Sequence, residues 1–193
     1  MLDKLIFLVD VDGVLRDITT PMLRIYNKVF DEHLEESDLK DYDVSVSFPR
    51  VSELGVKASD YFFKTCAKEI FLKASAYPNA AEAVSILRNY GKVIIATNQS
   101  TIDSKRYTLE WLDKNKIQYD GIFFTSDKSL IPCNVIIDDA PYFIRNSNAN
   151  TKIVLDQPYN KFVAENDRVM RYSSIYNYAL DLKQVNKEIL LFT

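Results

Sequence analysis

The stretch Leu5-Ile6-Phe7-Leu8-Val9-Asp10-Val11-Asp12-Gly13-Val14-Leu15 decides how the rest of this chain reads. Five consecutive apolar residues, rich in branched and aromatic types, run into two aspartates spaced two apart and then a glycine. A continuous apolar run of this kind reads as a strand buried on both faces. Gly13 ends it, because glycine accepts the positive φ of a sharp exit. The strand period of two sets Asp10 and Asp12 on one side of the chain. They stand at the carboxyl end of a central strand, where open α/β sheets place their ligands. Neighbouring buried carboxylates repel, so a purely structural role is costly without a cation or a shared proton. The plainer alternative is a polar strand exit whose aspartates cap a turn.

Further along, from Pro78, helix and strand alternate. Ala80 to Tyr90 reads as a helix stopped by Gly91, followed by the strand Lys92-Val93-Ile94-Ile95-Ala96. Its exit is Thr97-Asn98-Gln99-Ser100, and a helix carrying Tyr107, Leu109, Trp111 and Leu112 comes next. Gly121-Ile122-Phe123-Phe124 leaves through Thr125-Ser126-Asp127-Lys128, and Asn134-Val135-Ile136-Ile137 leaves through Asp138-Asp139. Lys152-Ile153-Val154-Leu155 is the fifth strand, and an amphipathic helix over about 174–190 closes the chain. Apolar strands alternating with helices predict a doubly wound parallel sheet, an α/β fold.

Between these two parts the pattern differs. Thr20-Pro21 reads as a helix start, Thr as N-cap and Pro at the first helical position, with Met22, Tyr26, Val29 and Phe30 at helical spacing. Val44 to Arg50 cannot be a regular helix through Pro49. A second helix is expected near Ser59-Asp60, carrying Tyr61, Phe62, Phe63, Cys66, Ile70 and Phe71. The expected organisation is therefore a core of residues 1–17 and 78–193 with a helical insertion over 18–77.

Composition narrows the function classes. The chain has 193 residues, 47% of them hydrophobic, with a formal net charge of -3. That charge gives no sign of a general nucleic-acid or anionic-membrane binder. Cys66 and Cys133 fit buried thiols in a reducing compartment, and no zinc spacing is present. The single histidine, His33, lies in an acidic run and argues against a histidine triad or a histidine-rich metal site. The N-terminus lacks a basic leader and no apolar run reaches transmembrane length, so a cytoplasmic soluble protein is expected.

The strand exits carry the chemistry. Aspartates follow the first and fourth strands, Thr97-Asn98 the second and Lys128 the third, and in a parallel sheet these ends share one edge. Four carboxylates, an ammonium and a hydroxyl–amide pair suit a magnesium-bound phosphoryl group, because Mg²⁺ takes carboxylate, carbonyl and water oxygens. Thr97-Asn98 precedes a helix N-terminus, where backbone N–H groups attract anions.

The order Asp10-Val11-Asp12-Gly13-Val14, then Thr97-Asn98, Lys128 and Asp138-Asp139, resembles the haloacid dehalogenase (HAD) superfamily of aspartate-nucleophile phosphatases over nearly the whole chain. Within it the sequence resembles the 5'(3')-deoxyribonucleotidase family in three respects. Lys128 stands ten positions before Asp138, Leu155-Asp156-Gln157-Pro158-Tyr159-Asn160 follows the last strand, and the insertion falls where that family carries its cap. Thr97-Asn98-Gln99 departs from it, since the family usually has Thr-Ser or a similar pair there. That triplet is closer to phosphatases of sugar phosphates and polynucleotide ends, so these stand as the alternative, with a catalytically inactive nucleotide-binding module as a third reading.

The resemblance implies a HAD-like Rossmannoid sheet in the order 5-4-1-2-3 and a Mg²⁺-dependent phosphomonoesterase. It implies Asp10 as nucleophile, Asp12 as proton donor and acceptor, and Lys128 as the cation beside the nucleophile. Thr97 and Asn98 would bind the phosphoryl oxygens. The metal would lie among Asp10, the Asp12 carbonyl, Asp139 directly and Asp138 through water. A cap suits a small phosphomonoester, a nucleoside monophosphate above all, and obstructs the phosphate of a duplex end. Phe48 and Arg50 are the cap residues expected at the substrate, Phe48 by stacking on the base.

Overall fold

In the computed structural model, which describes residues 5–191 and their side chains through 185, β1 (Leu5–Val9) lies in the middle of the sheet. Phe7, Leu8 and Val9 are at most 1% exposed, the two-faced burial that a continuous apolar run requires. The chain continues through α1 (Thr19–Phe30), α2 (Val44–Ser47), α3 (Ala58–Asp60) and α4 (Ala80–Arg88). Then come β2 (Gly91–Thr97), α5 (Ile102–Lys114), β3 (Gly121–Phe124), β4 (Val135–Asp138) and α6 (Pro141–Asn146). β5 (Thr151–Leu155), β6 (Val169–Tyr172) and α7 (Ile175–Leu191) complete it.

All six strands are parallel and ordered β3-β2-β1-β4-β5-β6. This is the expected order with one strand added outside β5. The added strand, Val169-Met170-Arg171-Tyr172, carries a charge and is only partly buried, so it gave no apolar run to read. Side chains alternate between the two faces of β1. Phe7 and Val9 join Val84, Leu87, Trp111 and Tyr178 on one face, while Leu8 joins Ile136, Phe143 and Val154 on the other.

Register sets the site. Val9 pairs with Ile95 on one side and Ile137 on the other, and the Asp10 N–H donates to the Ile137 carbonyl at 3.0 Å. Asp10, Thr97 and Asp138 therefore leave the sheet side by side. Gly91 opens β2 instead of stopping the preceding helix, which ends at Arg88. A Cβ at Gly91 would collide with the Leu5 carbonyl, so the glycine permits close approach to β1.

Residues 18–71 build a separate apolar cluster around Met22, Tyr26, Phe48, Val51, Phe62 and Ile70. Its elements are short. α1 begins at Thr19, and Asp17, not Thr20, satisfies a free donor of its first turn by accepting the Thr20 N–H at 3.0 Å. The helix expected after Ser59 widens after Asp60 into a turn in which the Cys66 N–H reaches back five residues to the Tyr61 carbonyl at 2.9 Å. The segment enters and returns through neighbouring backbones, Asp17 N–H to Ser75 carbonyl at 3.0 Å and Tyr77 N–H to Leu15 carbonyl at 2.9 Å. Among the described residues no helix is long and apolar enough to cross a membrane.

Candidate active site

The loop after β1 folds back on itself, with the Leu15 and Arg16 N–H groups both donating to the Val11 carbonyl at 2.9 and 2.8 Å. Gly13 adopts φ +79°, and a Cβ there would strike the Asp139 carboxylate. A glycine is needed twice over, for its backbone and for the space it leaves. The bend leaves Asp10 and Asp12 facing a cavity of about 540 Å³.

Lys128 arrives from the turn that follows β3, the strand at one end of the sheet order. Asp127 caps its turn by accepting from the Ser129 N–H at 3.0 Å and hydroxyl at 2.6 Å, which turns the lysine inward. Its Nζ lies 2.7 Å from Asp10 Oδ1 and 2.6 Å from Asp138 Oδ2, over the Phe143 ring. Asp138 Oδ1 accepts the Ala140 N–H at 3.0 Å, so both of its oxygens are engaged. Asp139 takes the Tyr159 hydroxyl on Oδ2, and its carbonyl takes Asn160 Nδ2 at 2.8 Å.

Asp10, Asp138 and Asp139 are all buried, and one oxygen from each lies within 4.8 Å of the others. One ammonium faces three carboxylates. Burial pushes Asp10 up to about 7 against the pull of Lys128, with repulsion from Asp138 and Asp12 adding to the rise. Burial and repulsion from Asp138 and Asp10 likewise raise Asp139 well above the usual carboxylate range. All-oxygen donors short of two positive charges fit a hard divalent cation.

The structure brings most of the expected residues together. Thr97 is 1% exposed at the end of β2, Asn98 is exposed beside it, and both line the cavity with Asp10, Asp12 and Asp139. Lys128 reaches the cluster from behind. Phe48 also lines the cavity but is only 1% exposed, its ring packed edge-on against Tyr26 and Phe62 at 5.2 and 4.9 Å. It is a wall supported from behind, not a free ring. Arg50 is not at the site. It lies on the outside of the inserted segment, where Nη1 donates to the Phe30 carbonyl and to Glu32, and Nε to Glu53, all at 2.9 Å. Carboxylates three residues ahead and on the neighbouring helix end claim the guanidinium first.

Several residues have roles at the site that the sequence alone did not assign, although Gln99 and the stretch 155–160 belong to motifs noted there. Arg16 Nε and Gln99 Nε2 each donate to Asp12, both at 2.7 Å. Tyr159 and Asn160 hold Asp139, and Gln157 Nε2 donates to the Gly13 carbonyl at 3.3 Å. The only local signal for Arg16 was its place four residues after Asp12; the others meet their partners across distances no motif spans.

The sequence model described as "5' nucleotidase, deoxy (Pyrimidine), cytosolic type C protein" matches residues 4–185. A 5'(3')-deoxyribonucleotidase of Clostridium acetobutylicum is 26% identical over 160 residues, 79% of this chain and 82% of the relative. One from Bacillus subtilis is 22% identical over 175 residues, 89% of this chain and 96% of the relative. Among solved structures, the HAD-hydrolase YfnB of Bacillus subtilis bound to magnesium superposes with a TM-score of 0.62 at 13% identity. That likeness covers 94% of this chain and 99% of the other, and it shows the fold.

Proposed function

Because the chain belongs to the 5' nucleotidase, deoxy (pyrimidine), cytosolic type C family and is a phosphatase of small phosphomonoesters, we propose that it hydrolyses deoxynucleoside monophosphates, with Mg²⁺ as its divalent cation and Asp10 as nucleophile. The observation that carries this reading is the Asp10 carboxylate at the end of the central strand. Lys128 fixes it at 2.7 Å and the cavity lies in front of it.

Asp10 attacks phosphorus in line, and the ester oxygen departs as the aspartyl-phosphate bond forms. Asp12 gives the departing oxygen its proton. Water then attacks the aspartyl-phosphate, Asp12 takes the proton from that water, and phosphate leaves with Asp10 regenerated. Thr97 and Asn98 donate to the phosphoryl oxygens, and Lys128 offsets charge on the nucleophile. Asp10, Asp139 and the Asp12 carbonyl would hold the Mg²⁺ directly. Asp138, whose oxygens already accept Lys128 and the Ala140 N–H, would act through water. The ion supplies the positive charge that lets a carboxylate approach an anionic phosphate.

Residues 18–77 act as the cap over a core of 1–17 and 78–193. Ile18, Met22, Phe48, Phe63 and Phe71 make the cavity wall facing the carboxylates largely apolar, which suits a base better than a sugar. The free thiols Cys66 and Cys133 support a reducing, cytoplasmic setting.

The test is phosphate release from a panel of deoxynucleoside, ribonucleoside and sugar monophosphates and a duplex-end phosphate, with Mg²⁺ and with chelator. The highest kcat/KM is expected for a deoxynucleoside monophosphate, with no turnover under chelation. A sugar phosphate or a duplex end as the preferred substrate overturns the assignment.

A further inference from the structure

Asp12 is held at both oxygens, and its two donors are mounted differently. Oδ1 accepts Arg16 Nε and Oδ2 accepts Gln99 Nε2. Arg16 is completely buried. Its Nη1 donates to the Phe71 carbonyl and its Nη2 to the Thr108 hydroxyl at 3.0 Å. The guanidinium carbon also lies 5.0 Å from the centroid of the Phe71 ring and 5.1 Å from that of Trp111. A buried guanidinium is tolerated only when its donors are satisfied, and here each of the three nitrogens has an acceptor. Moving Arg16 would strand the Phe71 carbonyl and the Thr108 hydroxyl in the interior. Gln99 stands instead on the loop after β2 that lines the cavity, and it is 5% exposed.

We infer that Arg16 is a positioning residue: it pins Asp12 by Oδ1 and thereby reserves Oδ2, the oxygen that Gln99 covers, for proton exchange with the ester. This rests on the role given to Asp12 above. The proton passes from Oδ2 to the departing oxygen as the P–O bond breaks, and the attacking water later returns a proton to Oδ2. The Arg16 bond to Oδ1 persists through both steps, and the Gln99 amide gives way. Arg16 also ties Asp12 to the Phe71 carbonyl, near the end of the inserted segment, so one side chain references the proton donor to core and insertion together.

Benzyl and 4-nitrophenyl phosphate are alike in shape but differ in how much their leaving oxygens need a proton. With Mg²⁺ present, Arg16→Met is expected to lower kcat for benzyl phosphate about 100-fold and for 4-nitrophenyl phosphate less than about 5-fold, the range over which a positioned acid acts. Arg16→Lys, which keeps the charge but loses the fork, restores part of the loss with the same bias. If Arg16→Met fails to fold by circular dichroism and melting, Arg16→Lys and Thr108→Val carry the test. A bias of about 3-fold or more between the two substrates is then expected. Equal losses on both substrates overturn the inference. Asp12→Asn is assayed alongside. No bias in that variant means that the role of Asp12 itself fails. A bias there, absent from the Arg16 variants, means that only the positioning role fails.

Discussion

Lys128 and Arg50 each hold two carboxylates. Lys128 takes Asp10 and Asp138 at 2.7 and 2.6 Å with its side chain 2% exposed. Arg50 takes Glu32 and Glu53, both at 2.9 Å, with its side chain 41% exposed. The distances are nearly alike, and the surroundings make the difference. Water screens the Arg50 pairs, which link one part of the inserted segment to another. Around Lys128 little solvent competes, so the cation and its aspartates define one another's position and charge. Pairing in sequence or in space does not mark a site. Pairing without water does.

The comparison breaks most sharply at Asp10. Asp10→Asn is nearly isosteric and should reduce turnover by at least ~1000-fold, because it removes the attacking oxygen's charge. The fold should survive, since the change also relieves repulsion among buried carboxylates. Retention of a tenth of wild-type turnover would remove Asp10 from its role.

Lys128→Met comes next. It leaves Asp10 and Asp138 buried without their ammonium, a loss that costs on the order of 3–5 kcal/mol when one partner of a buried pair is removed. Chemical denaturation in chelator should show that loss, and Mg²⁺ should recover part of it. Turnover should fall about 100-fold, as expected when charge stabilisation at the reacting group is removed.

A pH series sharpens the contrast. In the metal-free protein Asp10 holds its proton up to about 7, whereas an unfolded aspartate releases it near 4. Between those values the folded state carries the extra proton, so this group makes stability fall as pH rises through the window. Half-buried acids such as Glu69 and Asp156 are held below their usual range by neighbouring lysines and arginines and act in the opposite direction. The difference between wild type and Asp10→Asn reports the proton that Asp10 carries, together with the change its charge makes in neighbouring Asp139. Melts in chelator at several values from pH 4 to 8 should show that difference growing with pH, and added Mg²⁺ should shrink it. A constant difference would mean that Asp10 is ionised throughout.

Arg50→Ala should do least. Loss of its exposed pairs is expected to leave kcat/KM within about two-fold and the melting temperature nearly unchanged. A large rise in KM for a nucleotide would return Arg50 to the substrate.

The sheet was legible because its strands are buried on both faces and so are written as unbroken apolar runs. Leu5–Val9 and Val135–Ile137 could be read without knowing their neighbours, and their polar exits followed. β6 was not legible, since Arg171 interrupts it. That arginine has a use, donating to the Asn160 side chain at 2.8 Å and so steadying the residue that holds the Asp139 backbone. The inserted segment was readable as helical and apolar but not in its particulars. Its aromatics satisfy one another in a small cluster, and no period in the sequence says that Phe48 faces both the cluster and the cavity while Arg50 turns outward. Arg16 and Gln99 illustrate the remaining limit. Their partner, Asp12, was evident from the start, but a hydrogen bond 87 positions apart in the chain is a product of the fold.

The paired backbones at 15–17 and 75–77 have a consequence for how such a protein can change. Both ends of the inserted segment pair with each other at one hydrogen-bonded spot outside the sheet, so lengthening, shortening or replacing what lies between asks little of the strands. Loop-closure entropy varies only slowly with length, and a longer or shorter excursion alters the cost little. If residues 18–77 act as the proposed cap, substrate choice and chemistry can be inherited separately: one by exchanging a graft, the other by leaving a scaffold alone. Arg16 is the stitch between them, and a transplanted segment would have to supply a carbonyl where Phe71 now offers one.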